Sequence, residues 1–270
     1  MHVLAAITAA LLVASSVLAT TSPPPSAESS IAPDPVPWLD WEVVSRRPHD
    51  SEAFTQGLLL DAHGRLFEST GLWGQSSLRE VDPDSGAVLR SRPQPDDQFA
   101  EGLAVLGDQL VQLTWRSGLA RRYDADTFKV LTRHRYEGEG WGLCFDEQRL
   151  VMSDGSDRLT FRDPATFKMQ GTVAVTAAGQ PLDRLNELEC ADGQVWANVW
   201  HTDVIVRIDP SDGRVTGALD LEGIIEPHPA DADPSAVLNG IAYDALADTF
   251  LVTGKRWPEL IEIRVSDPLD

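Results

Sequence analysis

Five segments of this chain are written to one plan. FTQGLLL at 54, FAEGLAVLGDQLVQLTW at 99, EGWGLCFDEQRLVMSDGS at 139, LNELECADGQVWANVW at 185 and LNGIAYDALADTFLVTGK at 238 each pair a short apolar strand with a polar turn and a second apolar strand. Anchored on Gly57, Gly102, Gly142, Glu187 and Gly240, they recur at spacings of 45, 40, 45 and 53 residues. That period suits a four-stranded propeller blade, because one such unit cannot bury its apolar faces without neighbours. Later in each unit comes a second marker: VDPDSG at 81, YDADTF at 123, RDPATF at 162, IDPSDG at 208 and SDP at 266. Asp, Pro, Ser and Gly there suit tight turns between outer strands. The expected fold is all-β, a five-bladed β-propeller.

The last unit ends just after its turn, so it lacks a fourth strand. EVVSRRPHDSEAFTQG at 42 matches AVLRSRPQPDDQFAEG at 87 in apolar pattern and in its Arg-Pro step, and so reads as an outer strand without a blade of its own. Pairing it with residues 260–265 would close the ring and remove exposed sheet edges. A solenoid of stacked repeats would not need complementary ends. Helical periodicity is nearly absent, whereas the alternation of Val204, Val206 and Ile208 is that of half-buried strands.

Residues 1–19 form an apolar run ending in Val17, Leu18 and Ala19, the pattern of a cleaved signal peptide, with an uncleaved anchor as the rival reading because the run holds no Lys or Arg. Residues 20–37 are rich in Pro and Ser and read as a disordered linker. The catalytic or binding domain is then 38–270. No later segment approaches the roughly 18 unbroken apolar residues that a membrane span requires. The expected location is secreted, extracellular or periplasmic. A net charge of −20 argues against nucleic acid as a partner and is compatible with attraction of cationic peptide termini or with a solvated acidic surface. Cys144 and Cys190 are the only cysteines, and the sequence leaves open whether they pair. A monomer is the default expectation.

In a propeller the innermost strands begin beside the central channel, so residues just before equivalent anchors gather at one mouth. These are Phe54 with Gln56, Phe99 with Glu101, Trp141, and Asn186; the ends of the neighbouring strands add Trp115, Trp200 and Lys255. The residue before the anchor is Gln56, Glu101, Trp141, Asn186 and Asn239 in turn, a variety that suggests a site. Rings that plug the channel and polar groups that satisfy one another are the structural alternative. Lys255 stands out because the other lysines, Lys129 and Lys168, follow Thr-Phe pairs on outer turns.

FTQGL, F-x-EGL, QLTW, EGWGL, MSDGS, LNELE, ANVW and VTGKRWP, in that order from about residue 49 to 258, resemble the plant and bacterial type of glutaminyl-peptide cyclotransferase. The resemblance implies a five-bladed propeller that closes the N-terminal glutamine of a peptide or protein into pyroglutamate with release of ammonia. It implies Glu101 as general acid and base, Lys255 and Asn186 as oxyanion donors, and Phe54, Gln56, Phe99, Trp115, Trp141 and Trp200 as the pocket for the glutamine side chain. One carboxyl group can take the proton of the attacking amine and return it to the departing nitrogen, best with a pKa raised by apolar rings.

The histidines of the body, His49, His63, His134, His201 and His228, show no paired ligand spacing, so no metal or other cofactor is expected to be required. Glu187, Glu189 and Asp154 near inner strands are the residues that would hold a structural calcium, or else serve as hydrogen-bond partners. The alternatives are a metal-dependent propeller lactonase or esterase, and a propeller that only binds proteins.

Overall fold

The computed structural model describes residues 35–268. The expected leader, and the linker except its last three residues, lie outside the described residues. Where the sequence alternates apolar and polar residues between Asp- or Gly-rich turns, the chain forms antiparallel strands. β1 (Asp40–Pro48) precedes the first complete blade. That blade comprises β2 (Thr55–Leu60), β3 (Leu66–Thr70), β4 (Ser77–Val81) and β5 (Val88–Pro93). The second comprises β6 (Ala100–Leu106), β7 (Gln109–Thr114), β8 (Leu119–Asp124) and β9 (Val130–Arg135). The third comprises β10 (Leu143–Phe145), β11 (Leu150–Met152), β12 (Arg158–Arg162) and β13 (Met169–Ala174). A small hairpin of β14 (Thr176–Ala177) and β15 (Gln180–Pro181), not foreseen from the repeats, comes next. The fourth blade comprises β16 (Leu185–Ala191), β17 (Gln194–Val199), β18 (Val204–Ile208) and β19 (Val215–Asp220).

The fifth sheet has the order β1-β22-β21-β20, built from β20 (Leu238–Asp244), β21 (Thr249–Gly254), β22 (Glu259–Ser266) and the N-terminal strand. β1 runs antiparallel to β22 from Asp40 opposite Ser266 to Pro48 opposite Glu259. The last repeat spacing is long because the connector between β19 and β20 carries a 3-10 turn at Pro229–Asp231.

Burial falls from the axis outward. β2 is buried on both faces, whereas β5 is almost wholly exposed. The apolar residues sort into clusters that each lie between two neighbouring blades. Leu59 and Phe67 meet Leu103 and Leu110, and Val111 and Leu113 meet Leu143 and Leu150. Val151 and Leu159 meet Leu188 and Val195, and Trp196 and Ile205 meet Ile241 and Phe250. Ala242 and Leu251 then meet Leu58 and Leu66, which returns the packing to the first blade. Each fully buried Leu or Ile contributes about 1.5–3 kcal/mol, so the cohesion lies in side chains between sheets. Cys144 on β10 and Cys190 on β16 form a disulfide between the third and fourth blades, with Cα atoms 5.4 Å apart.

Candidate active site

The mouth of the channel is shaped by one repeated irregularity. The pairing of β2 with β3 skips Gln56, and that of β6 with β7 skips Glu101 and Gly102. The same break leaves Asn186 and Glu187 out of register in the fourth blade, and Asn239 and Gly240 in the fifth. A bulge frees a residue from its cross-strand partner and re-aims its side chain, here in or beside the channel. The anchor glycines make the convergence sterically feasible. A Cβ on Gly102 would sit 2.6 Å from Leu143 N and Trp141 O, and one on Gly142 would sit 2.0 Å from Asn186 O. Neighbouring inner strands thus touch through backbone, and Gly102 N donates to Trp141 O at 2.7 Å.

All nine residues singled out from the sequence line one cavity of about 440 Å³: Phe54, Gln56, Phe99, Glu101, Trp115, Trp141, Asn186, Trp200 and Lys255. Phe99 packs edge-on against Phe54 and Trp115, and Trp141 against Trp200, so the walls are aromatic. The polar groups lie among them: Glu101, Lys255, Asn186 and Gln56 are all buried. Gln56 Nε2 donates to Glu101 Oε1 at 3.1 Å, and Ser69 Oγ holds the Glu101 backbone carbonyl at 2.5 Å.

Burial drives the Glu101 carboxyl well above the ordinary glutamate range; the Lys255 charge pulls it down and the Glu139 charge pushes it further up. Lys255 is lowered to about 8, burial outweighing the pull of Glu101. Its ammonium lies 5.1 Å from the centre of the Phe54 ring, and no ion pair within 4.0 Å ties it to Glu101. Both groups therefore retain hydrogen-bonding capacity for an occupant of the cavity. A carboxyl raised and an ammonium lowered by burial, held apart in an apolar pocket, form an acid–base site with an electrophilic donor.

Three further residues complete the site. Glu139, in the connector before β10, accepts from the indole N–H of Trp115 at 2.7 Å and of Trp141 at 3.0 Å, and pairs with Arg116. It fixes both walls at once. Trp73 packs edge-on against Phe99, and His201, which lines the cavity, packs at a tilt against Trp200. These lie in connectors; Glu139 opens the EGWGL string that begins the third repeat, but the sequence alone assigns it no role. Asn239 sits beneath the cavity and bonds Gln56 Oε1 at 3.2 Å.

Two of the three residues considered for calcium, Glu187 and Asp154, are engaged otherwise. Glu187 accepts from Leu58 N and Ile241 N, which ties the fourth blade to the first and fifth, and Asp154 accepts from Ser156. Among the described residues no group of three or more His, Cys, Asp or Glu is placed to hold a metal ion.

The sequence model of the glutamine cyclotransferase family matches residues 11–265. The chain belongs to that family. It is 41% identical over 229 residues to a glutaminyl-peptide cyclotransferase of Arabidopsis thaliana, covering 83% of this chain and 71% of the relative. It also resembles the crystal structure of Myxococcus xanthus glutaminyl cyclase, with a TM-score of 0.81 and 39% identity, over 87% of this chain and 100% of the other. Family membership agrees with the fold expected from the repeat count.

Proposed function

We propose that this protein is a glutaminyl cyclase, which converts an N-terminal glutamine of a peptide or protein to pyroglutamate and releases ammonia. The observation that carries the reading is the buried Glu101 carboxyl, with Lys255 and Asn186 lining the same aromatic cavity. In the reaction the α-nitrogen attacks the γ-amide carbon and forms the ring C–N bond. Glu101 takes the proton that this nitrogen gives up and delivers it to the side-chain nitrogen as the old C–N bond breaks. Lys255 Nζ and Asn186 Nδ2 donate to the oxyanion of the tetrahedral intermediate. Phe54, Phe99, Trp115, Trp141 and Trp200 fold the glutamine side chain back toward its own amine, and that ordering is itself catalytic.

No step in this scheme uses a metal or cofactor. The leader at 1–19 and the Cys144–Cys190 bridge support export to an oxidising compartment. The test is incubation of the mature protein with a Gln-initiated peptide, read by mass spectrometry for loss of one ammonia. Glu101→Gln is expected to lower kcat/KM by roughly 10²–10⁴ and a chelator to leave the rate unchanged. Loss of activity to the chelator with Glu101→Gln fully active would favour a metal-dependent hydrolase instead.

A further inference from the structure

Nothing in the pocket itself dictates which end of the Gln56 amide faces Glu101, since an amide presents a donor on one side and an acceptor on the other. The answer lies one layer deeper. Asn239, at the bulge of β20, is wholly buried. Its Nδ2 donates to the Thr55 backbone carbonyl at 2.9 Å and to Gln56 Oε1 at 3.2 Å. A backbone carbonyl can only accept, so the Thr55 oxygen obliges Asn239 to present its NH₂ group. Turned over, Asn239 would set its own oxygen against two acceptors. In the observed orientation Asn239 Oδ1 has no hydrogen-bond partner among the described residues, so the amide is held by its Nδ2 end.

The constraint then propagates. With Asn239 Nδ2 held toward Gln56 Oε1, the Gln56 NH₂ is the end that remains for Glu101, and it donates to Oε1 at 3.1 Å. We propose that Asn239 is a positioning residue of the reaction: it relays the polarity of the Thr55 carbonyl through Gln56, so that Glu101 always receives a donor. The inference rests on the reading of Glu101 as the acid–base group. A donor at Oε1 favours the carboxylate, the form that accepts the substrate proton, whereas an inverted Gln56 would favour the protonated acid.

The charged and titratable groups around Glu101 are Lys255 after β21, Glu139 before β10, Tyr136 after β9, and His201 on the cavity wall. Among the described residues none is hydrogen-bonded to Asn239. A change at Asn239 therefore reaches the carboxyl through Gln56.

The experiment uses Asn239→Leu, which keeps the volume and removes the donor, and Asn239→Ser as a milder second variant should the first not fold. Each is made in the natural protein and in Gln56→Met, with melting curves to establish folding. Expected in the natural background are a roughly tenfold fall in kcat/KM and a shift of its acid limb to higher pH. In Gln56→Met the same changes should cost less than about twofold, because the relay is already cut. An unmoved acid limb, or equal losses in both backgrounds, overturns the proposal and makes Asn239 a packing residue. Absence of pyroglutamate formation by the unsubstituted protein would instead overturn the functional reading itself.

Discussion

At the scale of single residues, the site is a contest between burial and charge, and burial wins at both Glu101 and Lys255. A carboxylate and an ammonium in contact would each be stabilised in charged form and would occupy each other's hydrogen bonds. Here they share a cavity without an ion pair, so Glu101 is raised and Lys255 is lowered to about 8. Activity should therefore rise as Glu101 loses its proton and fall as Lys255 loses its own above pH of about 8. In Lys255→Met the alkaline fall assigned to the ammonium is expected to disappear, the acid limb to move up because Glu101 loses a neighbouring positive charge, and kcat/KM to drop roughly 10²–10³-fold. A pH profile of both enzymes on one peptide checks this; the substrate's own α-amine, titrating at about 7.7–8.0, is common to both and cancels in the comparison. An unchanged alkaline limb would assign it to the substrate alone. Nine of the residues that line the cavity were legible in the sequence because each sits at a fixed offset from a strand that repeats. Glu139 stood in the sequence as the first residue of EGWGL, but its role was not legible, nor was that of His201, because what each does is fixed only when the walls of the cavity are placed side by side.

At the scale of elements, the junction that must be made for the fold to close is the exit of β1. His49 follows it immediately, with its N–H bonded to the Pro258 carbonyl, its Nδ1 2.7 Å from the Trp257 carbonyl and its Nε2 3.2 Å from Glu68 Oε1. Glu68 lies on β3, so this imidazole fastens the fifth blade to the first. Burial pulls the His49 pKa down, but Glu68 and the Trp257 carbonyl outweigh it and the value lies above the ordinary 6.5. For Glu68 burial raises the pKa, and His49, Arg79 and Thr55 more than reverse it, leaving it below 4.5. A raised histidine contributes its stability below 6.5 and loses it as pH rises through the folded value. A depressed glutamate contributes above 4.5 and loses it as pH falls. The pair is thus fully effective between about 4.5 and 6.5. His49→Gln is expected to cost about 3 kcal/mol at pH 5.5, the lower end for a broken buried pair because Thr55 and Arg79 still serve Glu68. It should also remove part of the stability decline above pH 6.5; urea unfolding at several pH values reads both. The sequence placed β1 in the last blade through its likeness to the segment at 87, but nothing in it announced the latch, because a buried ion pair joins residues with no sequence relation.

At the scale of the whole molecule, β1 supplies the missing outer strand at the seam, so all five blades have four strands, and each blade is held by two neighbours. A closed ring of this kind resists opening at any one interface, because the other four must deform with it. The number of blades followed from the repeat spacing, since only side-by-side sheets bury both faces of every unit. The hairpin of β14 and β15 and the long connector before β20 did not, because insertions between blades are free to vary without disturbing the ring. Against this background the Cys144–Cys190 bridge can be weighed. It joins inner strands of blades already packed through Val151, Leu159, Leu188 and Val195, so it adds little to the folded state and acts chiefly by shortening the unfolded chain. Closing a loop with a sequence separation of 46 removes entropy worth about 4 kcal/mol from that chain, an upper figure because engineered and natural bridges often deliver less. The double variant Cys144→Ala with Cys190→Ala should keep the same fold and the same kcat at 25 °C, while its unfolding free energy falls by about 2–4 kcal/mol. Denaturant curves of the oxidised protein, the reduced protein and the double variant decide the matter. If reduction lowered kcat without lowering stability, the bridge would be setting the geometry of the Trp141 and Asn186 strands rather than the entropy of the unfolded chain, and the mouth of the channel would depend on the redox state of its surroundings.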